Sequence, residues 1–148
     1  MPKSPKPPTP KTPKSPRPAE RDYSLRSLLD KLGVKLQQRI LILDVQDGAF
    51  LNDIAPFSPE FAERKPAADI DLIFFAAEQK AALKRLASLR KSIVKNGAVW
   101  VVYPKGKQHI REIDVINAAK AAGLVDNKVC SFSATHTALR CVIPLAQR

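Results

Sequence analysis

The chain has 148 residues, carries a formal net charge of +11, and places eight of its 13 prolines within the first eighteen residues. That length is enough for one domain and a tail. The two cysteines lack Cys-x-x-Cys spacing, which excludes a disulfide-rich scaffold and fits a reducing cytosol. No apolar stretch follows the basic N-terminus, and no apolar run approaches the ~20 residues of a membrane span, so we expect a soluble, cytoplasmic protein.

Residues 1–22 are predicted to be a disordered, basic, proline-rich tail, because almost no side chain there can join a core. Three overlapping units, Lys-Ser-Pro-Lys, Lys-Thr-Pro-Lys and Lys-Ser-Pro-Arg, resemble the Ser-Pro-Lys repeats of chromatin tails that lie along DNA. One interpretation is an extended arm that follows the phosphates of a nucleic acid or another polyanion. The other is a solvated linker. The charges of the arm are Lys3, Lys6, Lys11, Lys14 and Arg17.

Residues 23–148 are predicted to form one α/β domain. Leucines at helical spacing follow Ser24, and Gly33 ends that helix. The apolar run Ile40–Val45 predicts a strand buried on both faces, as in a parallel sheet. A turn over residues 46–48 then leads into a helix over 49–54.

The next stretch, residues 55–68, has no run of β-formers, so the second and third strands of a Rossmann-like unit are missing, very short or replaced by loop. Residues 69–77 predict a buried strand. Residues 78–96 predict a long helix that Gly97 ends, with Lys91 and Lys95 near its carboxyl end and an apolar stripe formed by Ala82, Leu86, Leu89 and Ile93.

The remaining elements complete a Rossmann-like pattern. A buried strand is predicted over residues 98–103, a loop over 104–107, a helix over 110–122, and an antiparallel hairpin with strands near 127–133 and 138–145. The fold class is therefore α/β, with a mainly parallel sheet of about five strands and helices on both faces.

Five segments carry a more specific resemblance: Leu32-Gly33-Val34, Asp47-Gly48-Ala49-Phe50, Asn96-Gly97-Ala98-Val99-Trp100, Tyr103-Pro104-Lys105 and Leu139-Arg140-Cys141-Val142-Ile143. They resemble the bacterial family called domain of unknown function 3052, over roughly residues 23–146. The order of elements is similar to that of class I S-adenosylmethionine-dependent methyltransferases with reduced second and third strands. The resemblance implies a methyltransferase-like fold in a small bacterial protein. The name of the family does not assign an activity.

The turn after the first strand is the candidate ligand site, formed by Asp44, Gln46, Asp47 and Gly48. In the methyltransferases that this turn resembles, an acid is followed by Gly-x-Gly, whereas here Gly48 stands alone. Neither a ribose-binding acid in residues 55–68 nor an Asn-Pro-Pro-Tyr-like motif after Phe75 is recognisable. We therefore expect no cofactor, with S-adenosylmethionine as the alternative. The turn is either an altered small-ligand site or an ordinary turn in which Asp47 lies near the N-cap of the helix.

Other polar residues give weaker candidates. Lys105 and Lys107 follow the carboxyl end of a strand and either bind an anion or form a solvated loop, with His109 close by. Asp69 and Asp71 share a strand face, but at the amino end, away from the ligand side.

The two cysteines are predicted to face one another across the hairpin if it turns through residues 134–137. We interpret Cys130 and Cys141 as buried packing thiols, with a disulfide or a metal role, aided by His136, as the alternatives. No nucleophile–base pair is recognisable, so no catalytic residue and no metal site are assigned.

The leading interpretation is a non-catalytic binding or regulatory module with a degenerate cofactor site and a basic arm. The alternatives are an S-adenosylmethionine-dependent methyltransferase with an atypical cofactor loop, or a nucleic-acid-associated protein that binds through its tail.

Overall fold

The computed structural model describes residues 28–61 and 68–148 and divides the chain into two units at Gly33. In the first unit, residues 28–31 are helical. The Gly33 amide donates to the Asp30 carbonyl at 3.0 Å, and Gly33 has a φ of +76°, so the predicted end of this helix is confirmed. Ser24 and the predicted tail lie outside the described residues.

The second unit contains a six-stranded sheet in the order β2-β1-β3-β4-β6-β5. The first four strands in this order run parallel, β6 runs antiparallel to β4, and β5 runs antiparallel to β6. The predicted mainly parallel sheet with a closing hairpin is therefore confirmed. The strands are β1 (Ile40–Leu43), β2 (Glu60–Phe61), β3 (Ile70–Ala76), β4 (Ile93–Pro104), β5 (Val125–Ser131) and β6 (His136–Val142).

Helices cover both faces of the sheet. On one face, α1 (Gly48–Ile54) packs through Phe50, whose ring centroid lies 5.1 Å from that of Phe74. On the other, α2 (Leu86–Arg90) and α3 (Glu112–Ala121) share one buried cluster with Phe75. Because adjacent strand residues point to opposite faces, Phe74 and Phe75 each anchor a different layer.

The gap after α1 contains a 3₁₀ turn (Ala55–Phe57) and the two-residue strand β2. Of the three alternatives for this stretch, a very short strand is the one observed, although residues 62–67 lie outside the described part. Because β2 pairs with β1 on the side away from β3, the chain reverses direction across the sheet at β1. The crevice at such a reversal is where α/β sheets bind ligands.

The predicted helix over residues 78–96 is wrong at both ends. A 3₁₀ helix (Lys80–Arg85) leads into α2, which ends at Arg90, and β4 already begins at Ile93. Leu86 and Leu89 are buried as expected, but Ile93 pairs with Ile70 in the sheet. Sheet pairing therefore overrides the helical spacing of Ile93.

Gly97 has a different role from the helix stop that its position predicts. It lies inside β4, beside an irregularity in the pairing with β3. A Cβ atom on Gly97 would lie 2.9 Å from the Asp71 carbonyl oxygen and 3.0 Å from that of Ile70. Only glycine fits so close an approach of two backbones.

Candidate functional site

A crevice of about 570 Å³ lies outside the carboxyl ends of β1, β3 and β4, where the strand order reverses. This volume is within the range of small-molecule sites. A second groove, of about 370 Å³, lies between the 3₁₀ helix and α3, away from the strand ends. We assign the first as the candidate site because it coincides with the topological switch point.

Apolar side chains form the walls of the crevice and polar ones surround them. Ala76, Val102 and Phe132 are buried, and Ala82 is half-buried. Among the described residues that line it, the charged side chains are carboxylates and no Lys or Arg contributes. The polar lining residues are Asp44, Gln46, Asp47, Glu78, Gln79, Thr135 and His136.

Asp44 follows β1 directly and lines the crevice in an unusual backbone conformation. Its φ is +62°, in the left-handed region, and its side chain is 68% exposed. Arg85 donates through Nη1 to Asp44 Oδ2 at 3.3 Å, and its guanidinium lies 5.4 Å from the centroid of the Phe75 ring. A non-glycine residue in this region costs on the order of 1 kcal/mol, a strain that functional sites often retain.

Asp47 both lines the crevice and caps α1. Its Oδ1 accepts the Phe50 amide at 3.0 Å, as in an ordinary N-cap. Asp47 is therefore the N-cap of α1, as one of the two interpretations of this turn predicts. Ligand binding by the same turn stays a prediction. Gln46 is exposed at the crevice, whereas the neighbouring Val45 is buried.

Gly48 begins α1 and is not itself a lining residue. Its φ is outside the left-handed region, and a Cβ atom added there would meet no atom within 4 Å. The fold therefore does not require glycine at this position. The open space leaves room for a ligand to approach the backbone, as in the loops that it resembles.

A chain of three side chains on the crevice wall was not predicted. Glu78 Oε2 lies 2.8 Å from His136 Nε2, and His136 Nδ1 lies 2.8 Å from Thr135 Oγ1. Glu78 follows β3, while His136 is the first residue of β6 and pairs with Pro104. Sequence reasoning named His136 only as a metal ligand beside the cysteines. The sequence signal that could have placed His136 near the crevice is its position at the turn of a hairpin, which lies at the carboxyl end of β4.

The predicted anion-binding lysines lie beside the crevice and do not line it. Lys105 donates through Nζ to Ser131 Oγ at 2.7 Å, and Lys107 is exposed. His109 Nε2 lies 2.9 Å from the carbonyl oxygen of Glu78, a partner that the sequence did not indicate. Anion contact by Lys105 and Lys107 stays a prediction.

Two acids, Asp69 and Asp71, lie at the amino end of β3, and Asp71 has a structural partner. Asp71 Oδ2 accepts the Arg39 amide at 2.8 Å. Beside them, Arg39 Nε lies 2.6 Å from Glu60 Oε2, and the hydrogen bond from Arg39 lowers the pKa of Glu60. Asp69 precedes β3 with a φ of +61°. This pair of aspartates lies at the end opposite the crevice, as their position in the strand indicates.

The cysteines do not face one another, so that prediction is wrong. Cys130 pairs with Ala138, and Cys141 with Asp126, because the hairpin turns through residues 132–135. Both are thiols. Cys141 is buried as predicted, and burial raises its pKa to about 12, whereas Cys130 is half-buried, so the prediction of a buried thiol is wrong for Cys130. Within residues 28–61 and 68–148, no group of three His, Cys, Asp or Glu side chains is placed to hold a metal ion.

The part of the chain that the structure describes contains no helix with the length and apolar character needed to cross a membrane.

Several solved structures with a similar fold are methyltransferases, two of them described as S-adenosylmethionine-dependent. One from Aquifex aeolicus is 14% identical with a TM-score of 0.58, covering 88% of this chain and 100% of that one. A TehB-like one from Corynebacterium glutamicum is 12% identical with a TM-score of 0.54, covering 85% and 96%. Magnesium protoporphyrin IX methyltransferase from Synechocystis with bound S-adenosylhomocysteine is 8% identical with a TM-score of 0.56, covering 85% and 83%. At these identities the likeness shows the fold alone.

The fold and the position of the crevice define a methyltransferase-like α/β protein. Within that class, the chain belongs to the family described as "Protein of unknown function (DUF3052)", whose model matches residues 60–144, more than half of the chain. The predicted family is therefore confirmed. The match begins at β2, so it includes Glu78 and His136 but not the turn after β1. No curated protein matches the chain.

Proposed function

We propose that the protein is a non-catalytic binding or regulatory module that holds a small, non-phosphorylated ligand in the crevice and carries a basic N-terminal arm. The observation that supports this most is the crevice itself, at the topological switch point, with apolar walls and a polar lining. Three carboxylates line it, and the nearby cation Arg85 is already paired with Asp44. Such a lining repels phosphates and favours ligands with hydroxyl or amino groups.

The local geometry supports binding rather than catalysis. The carboxylate of Asp47 is engaged by the amide of Phe50, and a buried valine precedes Gln46 where glycines stand in the resembling loops. These features describe a degenerate cofactor loop. The carboxylate of Asp44, which is mostly exposed and has one contact at 3.3 Å, nevertheless keeps hydrogen-bonding capacity for a ligand.

The second candidate is an S-adenosylmethionine-dependent methyltransferase with an atypical cofactor loop. Two observations favour it: the solved structures with this fold are methyltransferases, and space is open above Gly48. Asp44, at the end of β1, occupies the position of the acid in the methyltransferase turn and would bind the cofactor. The backbone at Gly48 would approach the methionine part of the cofactor. The cofactor would supply an electrophilic methyl group.

Calorimetric titration of the full chain with S-adenosylmethionine and S-adenosylhomocysteine tests the site. Binding should weaken about tenfold or more in Gly48→Val, because the side chain fills space above the turn. The matched control is Ala49→Val, one residue later on the exposed side of α1. Equal affinities for all three proteins would place the ligand elsewhere.

Methyl transfer separates the two candidates. With S-adenosylmethionine radiolabelled on the methyl group, an enzyme transfers label to components of a cell extract, and Asp44→Ala abolishes the transfer. Binding of both nucleosides without any transfer supports the non-catalytic module. If neither nucleoside binds at millimolar concentration, the methyltransferase candidate is contradicted and the crevice ligand of the non-catalytic module is not an S-adenosyl compound.

A third proposal concerns the arm, whose basis is sequence alone: Lys3, Lys6, Lys11, Lys14 and Arg17 contact a nucleic acid or another polyanion. Counterion release predicts a log–log salt slope of roughly −4 to −5. Replacing these five residues by Gln should flatten the slope, whereas Lys91→Gln with Lys95→Gln, at exposed positions outside the arm and the crevice, serves as the control. A slope unchanged by the arm substitutions would assign binding to the folded body.

A further inference from the structure

We propose that Thr135 is a ligand-contacting residue whose hydroxyl accepts a hydrogen bond from a hydroxyl or amino group of the crevice ligand, and that Glu78 and His136 set this polarity. The inference rests on the proposed function, since it needs a ligand in the crevice. It adds the chemical group that the crevice recognises and the residue that recognises it.

The geometry of the three side chains defines a direction. Glu78 Oε2, His136 Nε2, His136 Nδ1 and Thr135 Oγ1 form a chain with two contacts of 2.8 Å each. All three residues line the crevice, and Glu78 and His136 are 58 residues apart in the chain. Glu78 and Thr135 are exposed, and His136 lies half-buried between them.

The chemistry of each group then decides who donates. An ionised carboxylate is an acceptor only, so Nε2 of His136 carries the proton that Glu78 accepts. In a neutral imidazole the other nitrogen, Nδ1, is then an acceptor, and Thr135 must donate its hydroxyl hydrogen to it. The hydroxyl of Thr135 is left with lone pairs only. Towards the crevice it is an acceptor.

The hydroxyl of Ser133 is placed to donate a hydrogen bond to Thr135 Oγ1, which agrees with this assignment. Ser133 Oγ accepts the amides of Thr135 at 3.2 Å and His136 at 3.1 Å, so its own hydrogen is available for Thr135 Oγ1 at 3.3 Å. Thr135 Oγ1 can accept two hydrogen bonds. One lone pair remains for the ligand. Both nitrogens of His136 are engaged, so at the hairpin side of the crevice it is Thr135 Oγ1 that offers an acceptor to the ligand.

Other charged groups around His136 fit the same polarity. His109 Nε2 contacts the backbone carbonyl of Glu78, not its carboxylate. The amide of Lys105 donates to the Thr135 carbonyl at 2.9 Å, while its ammonium is held by Ser131. Asp44 and Asp47 line the same crevice and are also acceptors. A ligand group that donates hydrogen bonds, such as a ribose hydroxyl or an amine, matches the acceptors of Thr135, Asp44 and Asp47.

Protonation of His136 reverses the direction. When Nδ1 takes up a proton it becomes a donor to Thr135 Oγ1, and the hydroxyl hydrogen of Thr135 turns towards the crevice. The wall then offers a donor where it offered an acceptor. A ligand recognised through its own donor group therefore binds more weakly to the protein with protonated His136.

The first arm of the test needs no ligand. Nitrogen-15 NMR of the full chain, at a pH at which the spectrum shows the His136 ring to be neutral, should report a protonated Nε2 and an unprotonated Nδ1. Glu78→Gln should mix the two tautomers, because an amide offers a donor as well as an acceptor. A protonated Nδ1 in the neutral ring of the wild-type chain would overturn the proposal.

The second arm measures affinity for adenosine and S-adenosylhomocysteine by calorimetry. Thr135→Val should weaken binding about tenfold, and Thr135→Ser should preserve it. Thr137→Val, two residues further on in β6 and not a lining residue, should leave the affinity unchanged. Undiminished binding by Thr135→Val overturns this proposal alone. Absence of binding by the wild-type chain overturns it together with the proposed function for these ligands.

Discussion

The two ends of the sheet use acidic side chains in different ways. At the amino end, Asp71 accepts the Arg39 amide and Glu60 pairs with the Arg39 guanidinium at 2.6 Å. At the carboxyl end, Asp44 is mostly exposed, has one contact at 3.3 Å and sits in a left-handed conformation. Asp71 and Glu60 are committed to the fold, whereas the exposed carboxylate of Asp44 keeps hydrogen-bonding capacity for a ligand.

Two glycines give the largest contrast between the ends. Gly97→Ala should lower the free energy of unfolding by about 2–3 kcal/mol, since its Cβ would lie 2.9 Å from a carbonyl oxygen of β3. Gly48→Ala should leave stability unchanged or raise it by up to about 1 kcal/mol, because its Cβ enters open space at the start of a helix. Urea unfolding of both variants measures the difference. Equal losses would contradict the contrast.

Two aspartates should give a smaller contrast of opposite sign. Asp71→Ala should lower stability by about 1 kcal/mol through loss of the acceptor for the Arg39 amide, and Asp71→Asn, which keeps an oxygen, should recover most of it. Asp44→Gly should leave stability unchanged or raise it by up to about 1 kcal/mol, because glycine adopts positive φ without strain and the exposed pair with Arg85 contributes little.

The same Asp44→Gly protein should bind the crevice ligand more weakly, which calorimetry measures. A protein that is destabilised by this change, with ligand binding intact, would assign Asp44 to the fold and remove the distinction between the two ends.

The smallest effect concerns pH. The hydrogen bond from Arg39 lowers the pKa of Glu60 below its ordinary value of 4.5 in the folded state. A lowered carboxylate pKa contributes stability above the unfolded-state pKa, and this contribution is lost as pH falls through the folded-state pKa. Because both side chains are partly exposed, the change is small.

Thermal unfolding from neutral pH downward should therefore show a shallower decline of Tm below about pH 4.5 in Glu60→Gln than in the wild-type chain. Asp44→Asn, at the other end of the sheet, is the matched control. Identical pH profiles for Glu60→Gln and the wild-type chain would show that the pair contributes nothing measurable.

The sequence by itself determined the main strands, the layers and the place of the crevice. Ile40–Leu43, residues 72–76 of β3 and the apolar part of β4 are continuous apolar runs, which burial on both faces explains. Gly33 and Gly123 follow helical segments with positive φ, which glycine adopts without strain. Asp47 before a short helix is a local pattern too, because an N-cap needs only the three residues that follow it.

Only the tertiary structure decided the rest, because the deciding partners are distant in the chain. Ile93 fits a helical stripe, yet it pairs with Ile70 because the sheet satisfies its backbone groups as well as burying it. Gly97 was needed for a close backbone approach that no local window contains. The contacts among Glu78, His136 and Thr135 exist because the hairpin turns through residues 132–135. This turn brings His136 to a carboxylate that is 58 residues away in the chain. Hydrogen bonds between side chains depend on such placement to within an ångström, which residue type and spacing do not specify.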